Sequence, residues 1–303
     1  MDVLRAQSLT KRYKNIAAVD NVSLTVERGD IFGLIGQNGA GKTTLMRLVA
    51  SLTFPHSGQI ELFGETTERG LAQARLRMGC IIEMPALYPN LTAVQNLEYC
   101  RIQSGIPDKT SVQKALEKVS LTDTGKKKFK DFSLGMKQRL GLGLALLKNP
   151  DFIILDEPIN GLDPTGIIEM RNLIKDLNDQ GITLFVSSHI LTELAQVATK
   201  YAIIHKGKLL KTMTQEVLRE DCKRALSVIV DDVARTSVIL ENEMNIHLYK
   251  QISANEIRVY EQLEHSAEVN YRLNLAGVRV SSLYEVGDSL EDYYKNIIGG
   301  ESR

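Results

Sequence analysis

Gly36-Gln37-Asn38-Gly39-Ala40-Gly41-Lys42-Thr43-Thr44 is the stretch on which the reading of this chain turns. It has the form G-x-x-x-x-G-K-[ST]. The apolar run Ile31-Phe32-Gly33-Leu34-Ile35 precedes it, and the helical pattern Leu45-Met46-Arg47-Leu48 follows. Strand, glycine loop and helix in that order predict a phosphate-binding loop. The glycines let backbone N–H groups converge on a polyphosphate, and the helix directs the positive end of its dipole at the same point. Lys42 is expected to neutralise charge on the outer phosphates, and the Thr43 hydroxyl to ligate Mg²⁺.

Downstream, the apolar strand Phe152-Ile153-Ile154-Leu155 ends in Asp156-Glu157. A carboxylate at the C-terminal end of a parallel strand can reach a metal held by a nucleotide. We expect this strand to lie beside the one that carries the glycine loop. Asp156 then supports Mg²⁺, and Glu157, aimed differently one residue on, orients or deprotonates a water attacking the γ-phosphate. Thr183-Leu184-Phe185-Val186 is a further run of the same kind. Such runs are apolar on both faces, as in a sheet covered by helices on either side.

Between the glycine loop and those runs, from Leu87 to Leu147, the periodicity is helical. Val94, Leu97 and Arg101 mark one stretch, and Val112, Ala115, Leu116 and Val119 the next. A helical insert thus interrupts an α/β core. Ahead of the loop, Val22, Leu24 and Val26 alternate with polar neighbours, so residues 3 to 35 read as strands. Pro55 to Gly58 is a turn into a strand at Gln59–Phe63. Tyr201-Ala202-Ile203-Ile204 and the turn Lys206-Gly207-Lys208 complete the core. After about Glu220 the pattern changes to strand Ala225–Val230, helix Val233–Glu243, strands Ile246–Lys250 and Glu256–Tyr260, helix Ser266–Leu275, strand Val278–Leu283 and helix Ser289–Ile297. That order resembles a split β-α-β, ferredoxin-like unit. The expected domains are 1–215, with a helical subdomain at about 84–148, and 222–303.

Composition narrows the classes. A chain of 303 residues suits two domains of ~150 each. Its 37 basic and 37 acidic side chains balance, so nothing global points to nucleic acid or an acidic membrane surface. Cys80, Cys100 and Cys222 are widely spaced, which argues for a reducing compartment and for three small buried apolar residues rather than disulfides or zinc. No signal peptide opens the sequence and no apolar run approaches the ~20 residues of a bilayer span. A soluble protein, or a peripheral subunit of something that spans, is the expectation. Lys126-Lys127-Lys128 with Lys130 reads as a solvated loop face.

Phe132-Ser133-Leu134-Gly135-Met136-Lys137-Gln138-Arg139 comes about 20 residues before the carboxylate pair. The order of glycine loop, S-x-G-x-K-Q-R, strand with Asp156-Glu157-Pro158, Gly161-Leu162-Asp163 and then His189 resembles the ATP-binding subunit of ABC transporters over residues 1 to about 212. The resemblance implies a P-loop NTPase domain that binds ATP and Mg²⁺. It places His189 on the γ-phosphate and beside Glu157, and Tyr13 in stacking contact with adenine. Ser133 and Gly135 would cap the ATP of the opposite subunit, and Asp163 would couple the two sites. Phe132, Leu134 and Met136 depart from the family's L-S-G-G-Q, but the two phosphate-contacting positions survive.

Glu83 stands where the family usually has Gln as a Mg²⁺ contact. The change keeps the oxygen and adds a charge, worth about 4 kcal/mol at ~4 Å and an effective dielectric of ~20. With Met84-Pro85-Ala86-Leu87-Tyr88-Pro89-Asn90-Leu91-Thr92 it resembles exporters that protect against bacitracin and lantibiotics; the alternatives are a generic drug- or lipid-exporting ATPase and a non-transport ABC ATPase acting on ribosomes or nucleic acid. One cap and one glycine loop per chain imply a head-to-tail homodimer. The resemblance further implies a separate membrane permease docked around Glu83 to Leu97, a place on the cytoplasmic face of the membrane, and no nucleic-acid partner.

Overall fold

The computed structural model describes residues 1–83, 87–261, 263–287 and 290–299. The chain falls into two compact units, Met1–Gln215 and Glu216–Arg303.

In the first unit, β1 (Asp2–Tyr13), β2 (Ile16–Glu27) and β3 (Ile31–Ile35) lead into α1 (Lys42–Val49). They are followed by β4 (Ser57–Leu62), α2 (Glu68–Arg75), β5 (Met78–Ile81) and the helices α3 (Ala93–Gln103), α4 (Thr110–Lys118) and α5 (Leu134–Leu146). The core resumes with β6 (Phe152–Leu155), α6 (Pro164–Asp179), β7 (Thr183–Ser188), α7 (Leu191–Leu194), β8 (Lys200–His205) and β9 (Lys208–Thr214), and α8 (Gln215–Asp221) opens the second unit.

Two sheets result. β2-β1-β4 is antiparallel, and its alternating residues Val22, Leu24 and Val26 turn inward. The second has the order β5-β6-β7-β3-β8-β9, parallel except for the closing β8–β9 hairpin. Its central strands are buried along their whole length, as their unbroken apolar sequence requires. Phe32 and Phe185, on adjacent strands, meet edge to face with centroids 5.6 Å apart, a geometry that adds about 0.5–1.5 kcal/mol beyond burial.

Contrary to expectation, the strand ending in Asp156 does not lie beside the strand that carries the glycine loop: β7 separates β6 from β3. Strand order in a parallel sheet is set by long crossovers, and three equally apolar runs carry no local mark of it. The cysteines also differ from the reading. All three are free, but Cys80 is exposed and the other two only half-buried.

The helical stretch carries a polar anchor. Asn96, fully buried on α3, accepts from the Tyr88 N–H (2.7 Å) and donates to the carbonyls of Tyr88, Leu91 and Thr92. Thr92 caps the same helix in a reciprocal box with Gln95, so the turn entering α3 is held from both sides.

The second unit contains β10 (Ala225–Val230), α9 (Val233–Met244), β11 (Tyr249–Gln251), β12 (Glu256–Val259), α10 (Ser266–Leu275), β13 (Val280–Val286) and α11 (Leu290–Gly299). Its antiparallel sheet has the order β11-β12-β10-β13, the arrangement expected of a split β-α-β unit. Leu226, Val228 and Val230 of β10 form its core with Ile239, Leu240, Val269 and Leu273. The second strand of the reading begins three residues later than expected and the fourth shifts by two or three residues, and Ser289, the expected start of the last helix, lies outside the described residues.

Candidate active site

The glycine loop runs from the end of β3 to the start of α1. Gly41 caps the helix with φ +110°, and a Cβ there would lie 2.2 Å from the Ala18 carbonyl oxygen. A Cβ on Gly36 would lie 2.6 Å from the Ile204 carbonyl oxygen. Both positions therefore exclude any other residue, one by dihedral and crowding and one by crowding alone. The β8–β9 turn closes the loop from behind. The Gly207 N–H donates to the Ala40 carbonyl (2.9 Å) and its carbonyl accepts from the Asp20 N–H (2.8 Å). Gln37, Asn38 and Gly39 remain exposed at the loop's tip, Ala40 is buried, and Thr43 and Thr44 are half-buried on the first turn of α1.

Lys42 is almost wholly buried. Its Nζ donates to the carbonyls of Gly36 (2.6 Å) and Gln37 (3.2 Å) and lies 3.0 Å from Glu157 Oε1. That last contact is an ion pair without hydrogen-bond alignment, and no described group donates a hydrogen bond to Oε1. The other oxygen of Glu157 is 2.8 Å from His189 Nδ1. An ionised carboxylate only accepts, so the ring donates through Nδ1–H and leaves Nε2 free of that bond. Glu157 itself sits at φ +51°, an unusual backbone state for a non-glycine residue.

Asp156 is buried at the end of β6. Oδ2 accepts from the Thr43 hydroxyl (2.7 Å) and Oδ1 from the Ser187 hydroxyl (2.5 Å). Ser187 also accepts from the Glu157 N–H (2.9 Å). Ser187 is not legible as a site residue in the sequence, since a serine inside an apolar strand carries no motif. Lys42, Thr43, Asp156, Glu157 and His189 thus converge from α1, β6 and β7.

The remaining predicted residues lie elsewhere. Ser133 caps α5, accepting from the Met136 N–H (3.2 Å), and is exposed. A Cβ on Gly135 would meet nothing closer than Leu162 at 3.8 Å. Nothing within the described chain demands a glycine there. Asp163 caps α6, accepting from the Gly166 N–H (3.1 Å). Tyr13 is exposed at the β1–β2 turn, with the Lys11 ammonium 5.4 Å from its ring centroid. Glu83 is exposed at φ +69° and pairs with Arg47 of α1. Its extra charge is therefore countered by a residue 36 positions away in the sequence. Of the expected docking stretch, Tyr88 and Val94 are exposed, while Met84, Pro85 and Ala86 lie outside the described residues.

A glycine loop at the C-terminal edge of a parallel sheet, with a buried lysine, paired carboxylates and a histidine around it, defines a P-loop ATPase. The family model described as ABC transporter matches residues 19–160. The chain belongs to the ABC transporter family as one of its ATP-binding, ATP-hydrolysing subunits. It is 42% identical to the bacitracin transport ATP-binding protein BcrA of Bacillus licheniformis, over 98% of each chain. It is 40% identical to the lantibiotic transport ATP-binding protein SrtF of Streptococcus pyogenes, over 69% of this chain and 89% of that one. Among solved structures, a dimeric bacterial ABC transporter cassette superposes with TM-score 0.62 at 25% identity, covering 70% of this chain and 98% of that one.

Proposed function

We propose that this chain powers export of bacitracin- or lantibiotic-type peptides by a separately encoded membrane permease. The observation that carries the reading is likeness to a bacitracin transport ATP-binding protein over 98% of the chain, the C-terminal unit included. No described helix is long and apolar enough to cross a membrane, so the path across would belong to that permease, with this chain bound at its cytoplasmic face.

The residues fit an ATP site. The backbone crowding at Gly36 and Gly41 leaves a bare loop for phosphates, and Lys42 supplies the cation beneath it. Thr43 and Asp156 offer hard oxygen donors 2.7 Å apart, the kind of set that holds Mg²⁺ partly through its waters. When bound, Mg²⁺ would neutralise charge on the phosphates. Glu83 would join it only after leaving Arg47.

Lys42 is shared between loop carbonyls and Glu157. Drawing the ammonium toward a phosphate releases Glu157 Oε1, which then accepts a proton from the attacking water. His189 holds the other oxygen and keeps the carboxylate aimed. Tyr13 would stack on adenine. Ser133, exposed, and Gly135, half-buried and uncrowded, stand at the start of α5 and suit contact with a nucleotide on a second copy, and Asp163 directly follows Gly161 and Leu162, whose positions approach Leu134 and Gly135. A head-to-tail homodimer would bring two such sites together, as the dimeric cassette among its structural relatives supports.

The test is to express the chain with its permease in a bacitracin-sensitive host, beside Glu157→Gln, and to purify the tagged protein from solubilised membranes. An integral membrane protein in the eluate, protection by the native chain, and loss of both protection and ATPase in the variant are expected. Copurified ribosomes or nucleic acid with no membrane protein would refute the transport role.

A further inference from the structure

The strand between the two halves of the site, β7, touches both. We infer that Ser187 is a positioning residue for hydrolysis, fixing the Asp156 and Glu157 carboxylates relative to each other; the inference rests on the roles proposed above for those two groups.

Ser187 is fully buried near the end of β7, which pairs with β6 through Leu155↔Val186 and with β3 through Leu34↔Ser187. Its hydroxyl has one proton to give and lone pairs to receive. The proton goes to Asp156 Oδ1 at 2.5 Å, and a lone pair takes the Glu157 N–H at 2.9 Å. With Thr43 donating to Oδ2, both Asp156 oxygens are held from opposite sides, so its plane is set.

The second bond matters for a different reason. Glu157 sits at φ +51°, a state that costs energy and persists only where surroundings hold it. Among the described residues the Glu157 N–H has one acceptor, Ser187 Oγ. That bond fixes the backbone turn that sends Glu157 toward Lys42 and His189, while Asp156 points toward Thr43. The next residues continue the device. Ser188 Oγ accepts from the Ile190 N–H at 2.9 Å, a local turn around His189. Ser187 therefore governs the aim of the water-activating carboxylate without touching the reacting atoms.

Removing the hydroxyl should spoil aim more than affinity, because Lys42 and the glycine loop are left intact. Misplacing a catalytic group by ~1 Å costs on the order of a hundredfold in rate, and Ser187→Ala is expected to lower kcat by about that factor. The KM for ATP should stay within about twofold of the native value, because Lys42, the glycine loop and the Thr43 bond to Asp156 remain to hold the ground state. Ser187→Thr, which keeps the hydroxyl on a β-branched side chain suited to a strand, should recover most of kcat.

The experiment measures kcat and KM for ATP in the full-length native protein, Ser187→Ala, Ser187→Thr and Glu157→Gln, all below the unfolding range of each. A native enzyme that turns over, a dead Glu157→Gln, and a Ser187→Ala rate near native would overturn the inference alone. So would a fall in kcat/KM carried by KM, or a threonine variant as slow as the alanine one. Undiminished turnover by Glu157→Gln would instead overturn the role of Glu157 on which the inference stands.

Discussion

Replacing Asn96 by alanine tests how the turn ahead of α3 is held. The amide makes four hydrogen bonds, but three of the partners have second donors. The Tyr88 carbonyl also receives the Leu91 N–H, the Leu91 carbonyl the Phe129 N–H, and the Thr92 carbonyl the Asn96 N–H. Only the Tyr88 N–H, at 2.7 Å from Oδ1, is stranded. A buried unsatisfied donor costs about 1–3 kcal/mol, so the variant should lose about 2 kcal/mol. For a unit of this size that is a fall of about 4–8 °C in the midpoint of its transition.

Asn96→Asp separates this account from a simple loss of volume. It keeps an acceptor for Tyr88 but turns a second carboxylate oxygen toward three carbonyls that the native NH₂ group reaches at 3.1–3.3 Å. Burying that charge without a partner costs several kcal/mol. Aspartate should therefore be worse than alanine at neutral pH. Its carboxyl pKa would be raised on folding, so the penalty is largest above the folded value and is relieved as pH falls toward the unfolded one. Thermal and denaturant unfolding of the native protein and both variants gives the ordering. An aspartate variant as stable as alanine, with no gain on acidification, would refute the claim that amide donation holds the turn.

Gly41→Ala should abolish ATP binding measured by fluorescent nucleotide, because the added Cβ meets the Ala18 carbonyl at 2.2 Å and φ is +110°; retained affinity would show that the loop can rebuild. Glu83→Gln breaks only an exposed ion pair with Arg47, so stability should change by less than about 1 kcal/mol. A midpoint shift of more than ~4 °C would mean that the pair holds more than itself.

What the sequence revealed depended on whether the signal was local. The loop from Gly36 to Thr44 was legible because strand, glycines, lysine and helix are contiguous, and the five converging residues include four from such motifs or strand ends. The C-terminal unit was legible because its helix and strand periods alternate cleanly. The order β6-β7-β3 was not, since apolar strands look alike until crossovers place them. Four-residue β5, with Gly79 and Cys80 in its middle, lacks the length and β-branched content that mark a strand. Ser187 meets Asp156 across 31 positions and Arg47 meets Glu83 across 36. Neither separation corresponds to any helix or strand period. Asp163 showed the reverse. Asp before Pro signals a helix start by itself, and the capping bond to Gly166 fulfils that signal within the chain.

The hydrogen bond from Gly207 to Ala40 has a consequence for the order in which the protein is made. Translation delivers the glycine loop early, yet the turn that seals its back comes about 170 residues later, roughly ten to thirty seconds on at 5–20 residues per second. Until then the Ala40 carbonyl lacks its partner and Ile204 does not press on Gly36. A nascent chain thus carries the nucleotide motif well before the β8–β9 hairpin can fold back onto the loop and complete its hydrogen bonds.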